Sequence, residues 1–194
     1  MTPGPRRRQL PAEARERRGE IEDPTIVLEA AARFLEVRSR SVVEVRRRLA
    51  GAGYRPDLVE GAIERMLELG MLDDEAFARA WVESRDRARP RGERAIRSEL
   101  GLKGVDRTTI DLVLAERREA VSSSGADDAF NEAPASPDVV AAERLLERHR
   151  RSLERVADPR QRRQRAYALL ARHGFDPDTC REVAARIDGD PSEG

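Results

Sequence analysis

An all-α chain, built from three tandem three-helix repeats in an elongated, curved arrangement, is what the sequence predicts. Three observations lead there. Glycine ends three stretches of one outline, RLAGAGY (48–54), ELGLKGV (99–105) and LLARHGF (169–175): Leu49, Leu100 and Leu170 stand four residues before Gly53, Gly104 and Gly174, and Tyr54, Val105 and Phe175 follow. Apolar residues recur at helical spacing, and no stretch alternates convincingly as a strand would. A shift of 51 residues lays Val45 on Ile96, Leu49 on Leu100, Val59 on Ile110 and Ile63 on Leu114 without a gap. A unit of about 45 residues buries too little apolar surface to be robust alone, so neighbouring units are expected to stack.

The elements follow in order. Residues 1–22 combine Pro, Gly and charge with few apolar side chains, which predicts a disordered basic tail. The first repeat spans 23–70. Asp23-Pro24 is a helix start, because the carboxylate can accept from open amides and Pro suits the first helical position; Ile26, Val27, Ala30, Ala31, Phe34 and Val37 follow on one face. Ser41 with Glu44 has capping-box spacing and opens a middle helix through Val45 and Leu49, which Gly53 closes. A closing helix begins at Pro56-Asp57 and carries Leu58, Val59, Ala62, Ile63, Met66 and Leu67.

The second repeat, 71–120, opens at Asp73-Asp74, runs through Phe77, Trp81 and Val82, restarts after Gly92, stops at Gly104 and resumes through Ile110 and Leu114. Residues 121–135 lose periodicity and gain Ser, Gly and acid, the composition of a flexible acidic linker. The third repeat, 136–188, has three like starts at Ser136-Pro137, Asp158-Pro159 and Asp176-Pro177, and 189–194 reads as a disordered C-terminus. Nine helices are expected.

Composition narrows the function. Charged residues make up 38% of the chain, yet Lys plus Arg and Asp plus Glu both number 37, so function cannot rest on bulk charge. Local asymmetry remains: residues 79–107 hold nine basic and five acidic side chains, and 143–172 hold ten and four. Cys180 is the single cysteine, which excludes an internal disulfide, and two separated histidines supply no zinc cluster. No apolar run approaches the roughly 18 residues of a membrane span, and the N-terminus lacks a secretory apolar core. A cytoplasmic protein with no membrane contact is expected.

The second unit reads GMLDDEAFARAWVESR (70–85) and then RGERAIRSELGLKGV (91–105). Through Gly70, Leu72, Asp74, Phe77, Ala78, Trp81, Val82 and Arg85, and then Gly92, Ile96, Glu99, Leu100, Lys103 and Gly104, it resembles the regulatory protein RecX family. RSRSVVEVRRRL (38–49) is similar to that family's opening Arg-x-x-Ser-x-x-Glu-Leu pattern, with Val45 in the leucine's place. About half the chain carries the resemblance. It implies a non-catalytic regulator that binds the RecA recombinase, lies in the groove of its filament on single-stranded DNA, and restrains its recombinase and ATPase activities in DNA repair and recombination.

Individual residues give no sign of chemistry. Asp73 and Asp74 have the positions of helix caps, which favour the positive end of the helix dipole. His149 and His173 stand in different helices without a completing nucleophile or ligand, and Cys180 shares an apolar stripe with Val183 and Ile187. No catalytic, cofactor or metal residue is assigned, and the chain is expected to be a monomeric non-enzyme. Trp81, one turn after Phe77, reads as a core side chain that could also anchor a partner.

Basic residues fall unevenly. The middle helices carry Arg46, Arg47 and Arg48, then Arg94 and Arg97, then Arg162, Arg163 and Arg165; Arg91 and Lys103 flank the second of them. Closing helices instead carry Asp57, Glu60, Glu64 and Glu68, and then Asp111 and Glu116. These ten basic residues are the candidate contacts for a RecA filament or for DNA, arranged as one stripe. A helix-turn-helix reader of duplex DNA is disfavoured, since its final helix must enter the groove beside phosphates and in the first unit that helix is acidic. Direct nucleic-acid binding through the arginines is the alternative reading.

Overall fold

The structure, a computed structural model, describes residues 12–124 and 136–188. Among its described residues the regular secondary structure is all helical: α1 (Ala12–Gly19), α2 (Pro24–Leu35), α3 (Val42–Ala52), α4 (Pro56–Glu68), α5 (Asp74–Ala88), α6 (Glu93–Leu102), α7 (Arg107–Ser124), α8 (Pro137–Glu154), α9 (Pro159–Arg172) and α10 (Pro177–Ala185), with a 3-10 turn over Arg186–Asp188. Helices α2–α4, α5–α7 and α8–α10 are the three predicted repeats. They fall in two compact units, one of the described residues up to Phe77 with Lys103–Val105, the other of Ala78–Leu102 with the described residues from Asp106 onward.

Local chemistry sets the helix starts as the sequence predicts. Asp23 accepts from Thr25 N–H, Asp158 from Arg160 N–H, and Asp176 from the N–H groups of Asp178 and Thr179, with Pro in the first turn each time. Ser41 and Glu44 form the reciprocal capping box.

In the first unit Val27, Ala31, Val45, Leu49, Val59, Ala62, Ile63, Met66 and Leu72 form one buried core. In the second unit the third repeat buries Leu145, Leu146, Leu169, Leu170, Phe175, Cys180 and Val183 together, among others, and Ile96, Leu100, Ile110 and Leu114 are buried at the positions of Val45, Leu49, Val59 and Ile63. Burying each such aliphatic side chain is worth roughly 1.5–3 kcal/mol.

The positive-φ glycines Gly53, Gly104 and Gly174 (φ 101°, 83° and 81°) do more than end helices. Each lies against another backbone or side chain, where a Cβ would stand 2.6 Å from the Arg15 carbonyl, 2.5 Å from Val43 and 2.4 Å from Ala95 respectively. The carbonyl one residue earlier is taken by the same neighbour. Ser41 Oγ–H donates to Lys103 C=O at 2.6 Å in the first unit, and Gly92 N–H donates to His173 C=O at 3.1 Å in the second.

Beside each of these bonds a carboxylate caps the adjoining amide: Asp74 Oδ1 accepts from Val42 N–H, and Asp138 Oδ2 from Glu93 N–H, both at 2.9 Å. Since Gly92 and Glu93 lie 51 residues after Ser41 and Val42, one joint is built twice. At Gly53 the neighbour is α1, where Arg18 donates to Ala52 C=O at 3.5 Å and stands 5.8 Å from the Tyr54 ring centroid.

Four expectations need correction. Part of the supposed disordered tail, Ala12–Gly19, is helical, because packing on Gly53 and Tyr54 supplies order that its own composition does not; residues 1–11 lie outside the described residues. Helix α7 continues to Ser124, into the segment read as linker, and residues 125–135 and 189–194 lie outside the described residues. The described helices therefore number ten rather than nine. Val37 is past the end of α2 and 79% exposed, so it leaves the predicted apolar face.

Candidate interaction surface

The ten predicted basic residues divide into two groups. Arg46 holds Glu60 through two bonds of 2.7 and 2.8 Å, and 51 residues on Arg97 pairs with Asp111 and, at 3.2 Å, with Glu93. The register explains the pattern: one arginine of the middle helix faces one acid of the closing helix in both repeats. Glu60 and Asp111 are held below the usual carboxylate range first by the hydrogen bond from their arginine, and that bond likewise raises Arg46 and Arg97. These two arginines staple helices together.

Lys103 is also engaged. Its ammonium lies 3.1 Å from Glu44 and 5.7 Å from the Phe77 ring centroid. Burial disfavours the Glu44 carboxylate, but hydrogen bonds from Arg38, Lys103 and Ser41 N–H outweigh it, and the net shift is downward. Arg91 lies 3.7 Å from Glu99, and Arg162 donates to Val156 C=O from Nε at 3.1 Å.

The second group faces solvent. Arg47, Arg48, Arg94, Arg163 and Arg165 are all exposed. No side chain among the described residues offers a carboxylate partner to Arg47, Arg48, Arg94 or Arg165, and Arg48 instead lies 5.6 Å from the Phe34 ring centroid. These side chains lie at the surface, whereas the stapling arginines are committed within the fold.

Trp81 is half-buried in the second unit. Its Nε1–H donates to Glu99 Oε2 at 2.8 Å, Arg85 Nε–H donates to the same oxygen at 2.6 Å, and the Arg85 guanidinium stacks 4.2 Å from the ring centroid. A polar tip satisfied inside the chain suits a structural role for the indole.

Other residues keep the roles that their types suggest. Asp73 Oδ1 caps α5 by accepting from Glu75 and Ala76 N–H. Cys180 is buried, and burial pushes its thiol up, away from the reactive thiolate. His173 is the C-cap of α9, with Nδ1 2.8 Å from Leu169 C=O. Among the described residues no group of three or more His, Cys, Asp or Glu could hold a metal, and no helix is long and apolar enough to cross a membrane.

Sequence reasoning missed the residues that make the joints, and with them the buried Arg117. Its guanidinium pairs with Asp86 at 2.8 and 3.0 Å and with Asp138 at 2.6 Å. The signal was available, since Arg117 lies 51 residues after the core Met66.

The chain is thus a helical-repeat protein of three three-helix domains. Family models described as the first, second and third three-helix domains of RecX match residues 28–66, 73–114 and 138–184 in turn. The chain belongs to the RecX family. It is 34% identical over 150 residues to the regulatory protein RecX of Mycolicibacterium vanbaalenii, covering 74% of this chain and 72% of that one. It is 33% identical over 151 residues to that of Mycobacterium avium, covering 78% of both. A crystal structure of RecX from Lactobacillus salivarius shares the fold with a TM-score of 0.65 at 19% identity, over 86% of this chain and 97% of that one.

Proposed function

We propose that this chain binds the filament of the RecA recombinase and restrains its recombinase and ATPase activities in DNA repair and recombination, acting in the cytoplasm as a monomer without catalysis of its own. Membership of a family of regulatory proteins supports the reading. The observation that carries it here is the division among the arginines: Arg47, Arg48, Arg94 and Arg165 remain exposed on middle helices without a carboxylate partner among the described residues, while Arg46 and Arg97 are consumed in staples. Repeated modest contacts along a repeating partner add through effective concentration, so no single contact need be strong. Restraint then follows from occluding the groove or from blocking protomer addition.

The test is an ATPase assay of RecA on single-stranded DNA, with filament length followed in parallel and this chain added below stoichiometry. Reduced turnover and shorter filaments are expected; no change in either removes the reading.

A second reading, direct binding to nucleic acid, is favoured by one feature of the turn between α8 and α9. Arg151, Arg155 and Arg160 are exposed there, with no carboxylate partner among the described residues. It predicts affinity for oligothymidylate in the absence of RecA that falls steeply with salt.

A further inference from the structure

The first two repeats differ at one cluster of matching positions. In the second repeat Glu99 accepts from Trp81 Nε1 and Arg85 Nε on one oxygen, and Arg91 Nε stands in ion-pair range, 3.7 Å from the other. In the first repeat, 51 residues earlier, Arg91 becomes Arg40, Arg85 becomes Phe34, and the carboxylate itself becomes Arg48. The acceptor has been replaced by another cation.

The consequence is visible at Arg40. Its guanidinium lies 4.3 Å from the Phe34 ring centroid, and Arg48 lies 5.6 Å from the same ring. Stacking accounts for the faces of these cations but leaves Arg40 Nε, which is buried, without a hydrogen-bond acceptor among the described residues. An unmet buried donor is costly, and more so on a charged group. The neighbouring carboxylate, Glu44, is engaged by Arg38 and Lys103 at 3.1 Å each. Burial, and then the charges of Arg38 and Arg48, hold Arg40 below its usual range, only partly opposed by Glu44.

We propose that Arg40, Arg48 and Phe34 form a receptor for a carboxylate from an acidic segment of a partner protein, seated where the second repeat carries its own Glu99. The planar fork of a guanidinium matches a carboxylate with two parallel bonds, and the aromatic floor fixes the plane of the fork. Arg48 and Arg38 are exposed at the rim, so the receptor is open to solvent, while Arg40 and Phe34 are half-buried beneath it. A carboxylate is favoured over phosphate because the same place in the second repeat holds one. The identity of the partner as the filament protein rests on the function proposed above; the receptor itself does not.

The experiment follows the Arg40 Nε–H resonance in the full chain during titration with a hexaglutamate peptide and, separately, with oligothymidylate. Hexaglutamate is expected to move that resonance, and Arg40→Ala to weaken its binding about tenfold, the effect of losing one charge-assisted bond. Arg48→Glu supplies the carboxylate internally. This variant is expected to move the Arg40 resonance without peptide, to lose hexaglutamate binding, and to keep its helical circular dichroism.

A resonance unmoved by hexaglutamate, unaltered peptide affinity in Arg48→Glu, or movement with oligothymidylate alone would overturn the receptor. Peptide binding at Arg40 together with an unaltered RecA ATPase would retain the receptor and remove the filament reading. Restrained ATPase without peptide binding would do the reverse.

Discussion

Met66 and Arg117 occupy the same place in the first and second repeats, 51 residues apart. Met66 is 0% exposed in an apolar core, with Leu35 packed against that core. Arg117 is 8% exposed and meets Asp86, the counterpart of Leu35, together with Asp138. Burial works against the Arg117 charge, but the two carboxylates outweigh it and raise its pKa. An apolar contact and an ionic triad thus fill one position, while the backbone joint beside them keeps its form: Asp74 caps Val42 in one unit and Asp138 caps Glu93 in the other. What defines the repeat is the set of backbone groups satisfied between neighbouring elements, and interior side-chain chemistry can change around it.

The largest effect should come from breaking the triad. Arg117→Ala takes the shared cation from Asp86 and from the more buried Asp138, and is expected to cost about 3–5 kcal/mol, read by urea unfolding. Arg117→Met with Asp86→Leu installs the pair used by the first repeat and should recover most of that loss. A double variant as unstable as the alanine variant would break the equivalence of the two positions.

The glycines sharpen the comparison next. Gly104→Ala and Gly174→Ala should each cost at least about 1–2 kcal/mol for a left-handed backbone. Gly174 should suffer more. An added Cβ there meets Ala95, including its backbone N at 2.6 Å, whereas at Gly104 the nearest obstacles all belong to the Val43 side chain and no backbone atom is among them. Equal losses in thermal unfolding would show that the two joints yield alike.

A smaller effect concerns acid. Because the folded Glu44 is held below its ordinary range, its contribution is fully present above that range and disappears as pH falls through the depressed folded value. Glu44→Gln should therefore flatten the acid side of the stability profile below about pH 4, the ordinary range of glutamate. An unchanged acid slope would mean that the bonds from Arg38 and Lys103 add nothing.

Most of the fold was legible because helix starts and stops are local. Asp23-Pro24, Ser41 with Glu44, Asp158-Pro159 and Asp176-Pro177 cap as their chemistry dictates. Helix α1 was not legible, since Ala12–Gly19 buries no residue of its own and owes its place to the Gly53 face. The candidate surface was half legible. Composition located the arginines, but Arg46 and Arg97 look like Arg47 and Arg94 until one sees that Glu60 and Asp111 lie within reach of the first pair alone. Carrying the 51-residue shift through the charged positions would have exposed both staples, along with the exchange of Met66 for Arg117.

The most direct test of the central claim compares two charge variants in the ATPase assay of RecA on single-stranded DNA. Reversing the exposed set, Arg47→Glu with Arg94→Glu and Arg165→Glu, should raise the concentration needed for half-restraint by at least about tenfold, as loss of electrostatic complementarity would. Neutralising the staples, Arg46→Gln with Arg97→Gln, should leave it within about threefold, since exposed ion pairs contribute little. Restraint that survives the first variant and fails in the second would contradict the claim that the unpaired arginines carry the interaction.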